Sequence, residues 1–85
     1  MQTNYSKFDM DFFNNKIKKY QEKKLDEILF KIQFHRSTKI ELEQKMDQLD
    51  HDDTKFAKDI SYHTQMVDIW IANEKKLRKQ MAENK

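Results

Sequence analysis

Hydrophobic residues recur at alternating intervals of four and three along the second half of the chain. Nine of the twelve positions in this series are apolar, and the other three are an aspartate, a histidine and a glutamate. The series comprises Leu42, Met46, Leu49, Asp53, Phe56, Ile60, His63, Val67, Trp70, Glu74, Leu77 and Met81. Such spacing places a narrow apolar seam along one side of an α-helix. The pattern therefore predicts a long helix that packs against a neighbouring helix.

The first half of the chain carries a similar pattern with a change of phase. Phe13, Ile17 and Tyr20 form one stripe at helical spacing, and a second stripe resumes at Leu25 and Ile28, one residue out of phase. A slip of this kind changes the local supercoil of a helix without breaking it. We therefore expect the helix to continue through the slip.

Two segments carry residues that can end or bend a helix. Thr38 and Glu41 have the spacing of a capping box, and the polar run at 50–53 contains aspartates and a histidine, which tolerate the backbone of a reversal. We place the reversal at about 50–53 and leave a kink near 35–39 open. The alternation of apolar and polar residues over 28–34 also permits a strand there.

Composition supports a helical fold, because the chain contains no glycine, proline or cysteine. The predicted fold is all-α: a long antiparallel helical hairpin or coiled-coil-like bundle, completed by dimerisation or by a partner. Residues 1–85 form a single helical domain, with an N-terminal arm at about 7–50 and a C-terminal arm at about 54–83. The absence of cysteine excludes thiolate metal sites and disulfides, and the absence of glycine excludes phosphate-binding loops.

Charge is unevenly distributed around the net value of +2. Residues 1–24 carry +3, residues 25–53 carry −4, residues 54–73 are neutral and residues 74–85 carry +3. Folding at 50–53 brings the two basic ends together, which predicts a basic pole at the open end of the hairpin. The predicted basic pole comprises Lys16, Lys18, Lys19, Lys23, Lys24, Lys75, Lys76, Arg78 and Lys79.

Residues that could carry chemistry are sparse. His51 follows Asp47 by four positions and His63 follows Asp59 by four, so each pair shares a helix face. Two ligands do not complete a metal site, and ordinary surface hydrogen bonds explain both pairs. The aspartates at 50–53 lack the spacing and the glycine of a calcium loop, and helix capping explains them. The sequence thus predicts no catalytic residue, no cofactor and no metal ligand, and we expect no enzymatic activity.

The aromatic residues point to binding, because several adjacent pairs cannot all face one narrow seam. Phe12 and Phe13 diverge by ~100° on a helix, and so do Leu29 and Phe30. Apolar surface of this width indicates either a core of three or four helices or a contact with another protein. The predicted apolar contact face comprises Phe8, Phe12, Phe13, Phe30, Phe34 and Trp70.

We therefore expect a non-enzymatic protein-protein interaction module, such as an adaptor, chaperone or inhibitor-type regulator, that binds another protein or a second copy of itself as a homodimer. The composition is similar to that of small proteins from AT-rich bacterial or phage genomes, which suggests a phage or mobile-element origin. The alternative is an accessory nucleic-acid binder that uses the basic pole. Residues 7–24 also permit a basic amphipathic helix on a membrane. The chain shows no apolar run that could cross a bilayer and no signal peptide, so we expect a cytoplasmic location.

Overall fold

The protein is a hairpin of two long α-helices. A computed structural model describes the backbone of residues 2–49 and 54–83 and the side chains of 10–48 and 54–83. Helix α1 spans Gln2–Leu49 and helix α2 spans Thr54–Glu83. Every residue in the described ranges is helical, and the molecule measures 75 × 15 × 14 Å. The predicted all-α helical hairpin is confirmed.

The two helices run antiparallel and bury a thin core between them. Lys31 contacts Trp70 and His35 contacts His63, so residue numbers fall on α2 as they rise on α1. The buried hydrophobic residues of the described ranges are Ile28, Ile32, Val67 and Leu77. Leu25, Trp70, Ile71 and Met81 pack around this core and are partly buried. Because two helices supply only one layer of side chains, none of the described side chains is completely enclosed.

The predicted seam on α2 is the face that packs against α1. Every residue of the series from 56 to 81 is partly or fully buried. On α1 the corresponding series consists of Gln21, Leu25, Ile28, Ile32, His35, Lys39, Leu42 and Met46, again at intervals of four and three. Two facing series of this kind are the packing arrangement of an antiparallel coiled coil.

Helix α1 continues without interruption through residues 28–34 and 35–39. The backbone is helical across 28–34, so the alternative of a strand is wrong. Thr38 does not cap a helix, because it lies inside α1 and its hydroxyl donates a hydrogen bond of 2.8 Å to the carbonyl oxygen of Phe34. That bond satisfies the hydroxyl within the helix, so Thr38 needs no helix end. The predicted reversal at 50–53 lies outside the described residues.

Helix α1 is much longer than α2. It contains 48 residues against 30, a difference of about 27 Å at ~1.5 Å per residue. Asn14 and Asn15 lie beside Ala82 and Glu83, at the described end of α2. Residues 2–13 therefore extend past that end, and we call them the α1 extension.

The packing of the core predicts that substitutions at two adjacent positions of α1 have very different effects on stability. Ile28 is 4% exposed and Leu29 is 38% exposed. Ile28→Ala should lower the free energy of unfolding by about 2–4 kcal/mol, because it leaves a cavity between the helices. Leu29→Ala, the matched control, should cost less than about 1 kcal/mol. Urea unfolding followed by circular dichroism measures both, and equal losses would contradict the described packing.

Candidate functional site

One long side of the hairpin carries most of the features that suggest binding. On α1 this side contains Met10, Phe13, Ile17, Tyr20, Lys24, Glu27, Lys31 and Phe34, and on α2 it contains Tyr62, Met66, Ile69, Asn73, Lys76 and Gln80. Both sets follow helical spacing of three and four residues, which keeps them on one face. Tyr20 and Lys24 line a groove with Asn73, Lys76 and Gln80, so the two sets lie on the same side of the molecule. We call this side the groove face.

The first apolar surface of the groove face lies near the middle of the hairpin. It consists of Phe34, Tyr62, Met66 and Ile69, and we call it the mid-hairpin patch. Phe34, Tyr62 and Ile69 are each about half exposed, at 51%, 53% and 52%. Phe34 makes an edge contact with the His63 ring, with centroids 6.3 Å apart. Both helices thus contribute exposed apolar side chains to this part of the groove face, and such patches are candidates for contacts with other proteins.

The second apolar surface of the groove face lies near the start of α1. It consists of Met10, Phe13, Ile17 and Tyr20, which we call the N-terminal stripe. These side chains are 63%, 60%, 45% and 67% exposed. A groove of 260 Å³ begins at Tyr20 and has Ile28, Trp70 and Leu77 among its lining residues. The stripe therefore leads directly into a partly apolar groove between the helices.

The six residues of the predicted apolar contact face do not share one face. Phe34 belongs to the mid-hairpin patch and Phe13 to the N-terminal stripe, whereas Phe30 is 71% exposed on the side of α1 away from α2. Phe12 is 50% exposed beside Phe13, with which it makes an edge contact. The side chain of Phe8 lies outside the described residues. The sequence identified residues of both apolar surfaces but not their separation.

Trp70 is a packing residue at the edge of the core. It is partly buried against Ile28, Ile32 and Leu77. The Lys31 ammonium lies over its ring at 4.2 Å from the centroid, within the range of a cation–π interaction. The indole nitrogen is buried without a hydrogen-bond partner among the described residues, which costs ~1–3 kcal/mol. Trp70 therefore contacts the core on one side and Lys31 of the groove face on the other.

The two ends of the predicted basic pole meet at the open end of the hairpin. Lys24 and Lys76 line the groove of the groove face. Lys18 and Arg78 line a separate cleft of 590 Å³ between α1 and the last turns of α2. Two of these cations have acidic neighbours, because Arg78 is paired with Glu74 at 2.8 Å and Lys24 with Glu27 at 3.7 Å. All nine residues of the basic pole are exposed.

A pair of histidines occupies facing seam positions. The Nδ1 atoms of His35 and His63 lie 2.7 Å apart, so one ring donates a proton that the other accepts. His35 is buried at 8% exposure, and its ring also lies close to the rings of Phe34 and Tyr62. Burial lowers the pKa of His35 below 6.5, and the positive charges of His63 and Lys31 lower it further. The pair is therefore stable only while at least one ring is neutral.

Neither the sequence nor the fold relates this chain to a known protein. Among the described side chains, no three histidine, aspartate or glutamate residues are close enough to hold a metal ion. Within the same part of the chain, neither helix combines the length and apolar character needed to span a bilayer. No family model, curated protein or solved structure is significantly similar to the chain.

The histidine pair makes stability depend on pH. Because the pKa of His35 is lower in the folded than in the unfolded chain, the unfolded chain takes up the proton first as the pH falls. The stabilisation is complete above pH 6.5 and is lost as the pH falls from 6.5 towards the folded pKa. We therefore expect the melting temperature of the protein to be lower at pH 5.5 than at pH 7.5.

His35→Leu should remove most of this pH dependence, because the seam position then carries no titratable group. Tyr62→Phe, which leaves both rings in place, should retain it. Thermal unfolding at pH 5.5, 6.5 and 7.5 makes the comparison, and an NMR titration of His35 gives its pKa directly. A pKa of 6.5 or above would contradict the buried pair.

Proposed function

We propose that this protein is a non-enzymatic binding module that occupies a surface on another protein through the mid-hairpin patch. The supporting observation is the exposure of Phe34, Tyr62 and Ile69 on one side of a hairpin whose own core is thin. An adaptor, a chaperone or an inhibitor-type regulator acts in this way. Each of these works by covering a partner's surface and needs no catalytic group.

The make-up of the patch favours a protein partner. Protein interfaces have apolar centres rich in aromatic and methionine side chains, surrounded by a polar rim. The patch supplies Phe34, Tyr62 and Met66 at its centre, and the nearby Lys31 and Glu27 provide charged groups at its edge. These side chains stand on two packed helices, so little ordering is required when a partner binds.

Replacement of the exposed patch residues should abolish partner binding and preserve the fold. A photo-crosslinking amino acid at position 69 should capture the partner in extracts of the native host, whereas the same group at position 30 should not. Ile69→Lys and Tyr62→Lys should each weaken binding of the purified partner more than tenfold, ~1.4 kcal/mol, because each places a charge in an apolar contact and a few such contacts dominate interface energies. Calorimetry measures the affinity.

Phe30→Lys is the matched control. Phe30 is aromatic like Tyr62 and more exposed than either tested residue, but it lies on the other side of α1. It should leave the affinity unchanged. Circular dichroism checks that all three variants remain helical. Equal effects of Phe30→Lys and Ile69→Lys, or capture of the same protein from position 30, would contradict binding through the patch.

The basic pole supports a second candidate function, namely accessory binding of nucleic acid. Lys24 and Lys76 line one groove, and Lys18 and Arg78 line one cleft, so cations from both helices face shared openings. Closely spaced cations attract phosphates and release counterions on binding.

If the pole binds nucleic acid, affinity for a fluorescent DNA or RNA probe should fall steeply as salt rises. Changing Lys18, Lys19, Lys75 and Lys76 together to Gln should reduce that affinity more than tenfold and leave the melting temperature unchanged or slightly higher, because like charges are removed. Fluorescence anisotropy between 50 and 200 mM salt makes the measurement. An affinity that is independent of salt would rule out this function.

A further inference from the structure

The N-terminal stripe lies to one side of the seam with α2, about 100° around α1, because of the phase slip in α1. Continuing the seam of α1 upstream from Gln21 at the same intervals gives Lys18 and Asn14, which are polar and exposed. The apolar residues Ile17 and Phe13 stand one position earlier in the sequence. Neighbouring positions on a helix point ~100° apart, so the stripe cannot pack into the seam. It forms a second apolar seam that stays largely exposed, with Ile17 and Tyr20 at the borders of the openings between the two helices.

We propose that a second copy of this protein covers the N-terminal stripe, with the two α1 helices antiparallel around a two-fold axis beside residue 15. The spacing of the stripe, at intervals of three, four and three, reads the same in both directions. In this arrangement Met10 of each copy lies opposite Tyr20 of the other, and Phe13 lies opposite Ile17. A self-complementary patch is what a two-fold interface requires. This surface is separate from the mid-hairpin patch, so either proposal can fail alone.

The stripe supplies most of the area that a dimer needs. Side chains of this size carry ~200 Å² each, so their exposed fractions leave roughly 450–500 Å² on each copy. Two copies then bury roughly 900–1,000 Å² through these side chains alone, close to the ~1,000 Å² expected of a biological interface. Contacts that flank the stripe add to this area.

The groove supplies those flanking contacts. An axis beside residue 15 places backbone positions 2–9 of the second copy alongside positions 21–28 of the first. The groove opens along this part of α1, with Lys24 and Ile28 on one side and Leu77 and Gln80 on the other. The α1 extension of each copy thus lies against both helices of the other. Each end of the dimer becomes a three-helix bundle, which covers the thin core of the hairpin more fully than two helices do.

Repulsion between like charges opposes this dimer, and it makes the strength of association depend on the salt concentration. Lys16 of each copy stands beside the axis, one position from residue 15, so the two ammonium groups approach each other. Lys16 is drawn partly aside, because its ammonium lies over the Phe12 ring at 4.9 Å from the centroid. Salt screens the remaining repulsion between like charges. Association should therefore strengthen as salt rises, the opposite of nucleic-acid binding.

Disulfide cross-linking tests the antiparallel register directly, because the natural chain contains no cysteine. A mixture of Met10→Cys and Tyr20→Cys proteins should form a mixed disulfide dimer on mild oxidation. Met10→Cys alone should not, since ten residues of offset separate its two copies by about 15 Å along the axis and a disulfide needs Cα atoms within ~7 Å. Cross-linking of Met10→Cys to itself, or failure of the mixture to cross-link, would overturn the proposal.

Sedimentation velocity tests the association itself. The unmodified chain should be dimeric at micromolar concentration, with a lower dissociation constant at 500 mM than at 50 mM salt. Ile17→Glu should raise the dissociation constant at least tenfold, whereas Phe30→Glu should not change it. Circular dichroism at high concentration checks that Ile17→Glu remains helical. If this variant loses helix, the milder Ile17→Ala replaces it in the comparison. A monomer at all concentrations, or equal effects of both glutamate substitutions, would overturn the proposal.

Discussion

The close packing of Ile28, Ile32 and Leu77 between the two helices holds the hairpin together. The other contacts seen between the described parts of α1 and α2 lie at the edges of this small apolar core or in line with it. Because the core is one side chain thick, no described side chain is shielded on all sides, and the stability of the pair depends on a continuous match of positions along its length. A seam at intervals of four and three supplies that match, because it brings a side chain to the interface at every turn.

Polar residues at seam positions give this interface its register. Gln21 and His35 are buried on α1, and Glu74 is partly buried on α2. A shift of the helices by one turn would separate His35 from His63 and leave buried nitrogen atoms without partners, at a cost of ~1–3 kcal/mol each. An apolar seam alone would allow such a shift at little cost. The histidine pair therefore specifies which turns face each other, and it makes that alignment sensitive to protonation.

The sequence predicts the elements of this fold better than their relation to each other. The seam of α2 follows from spacing alone, because the apolar side chains of a helix repeat with its period. The contact between His35 and His63 could not be predicted, because it depends on the register between arms joined through residues 50–53. The predicted arm at about 7–50 included Thr38, but a kink there stayed open, since a threonine that caps a helix and one that bonds within it have the same local sequence. The phase slip between Tyr20 and Leu25 was visible in the sequence, but its effect of turning Phe13 and Ile17 out of the seam requires the position of the partner helix to be known.

The rod shape of the molecule has a consequence for its motion. In a molecule 75 Å long and about 15 Å thick, each helical turn contacts only the turns beside and opposite it. Loss of packing at one end therefore propagates inwards step by step, as it does in repeat proteins, and does not collapse a shared centre. In a single hairpin, backbone amides near Ile28 and Ile32 should exchange with solvent most slowly, and those towards Asn14 progressively faster. The open end of an unpaired hairpin can thus separate and close again while the middle stays folded.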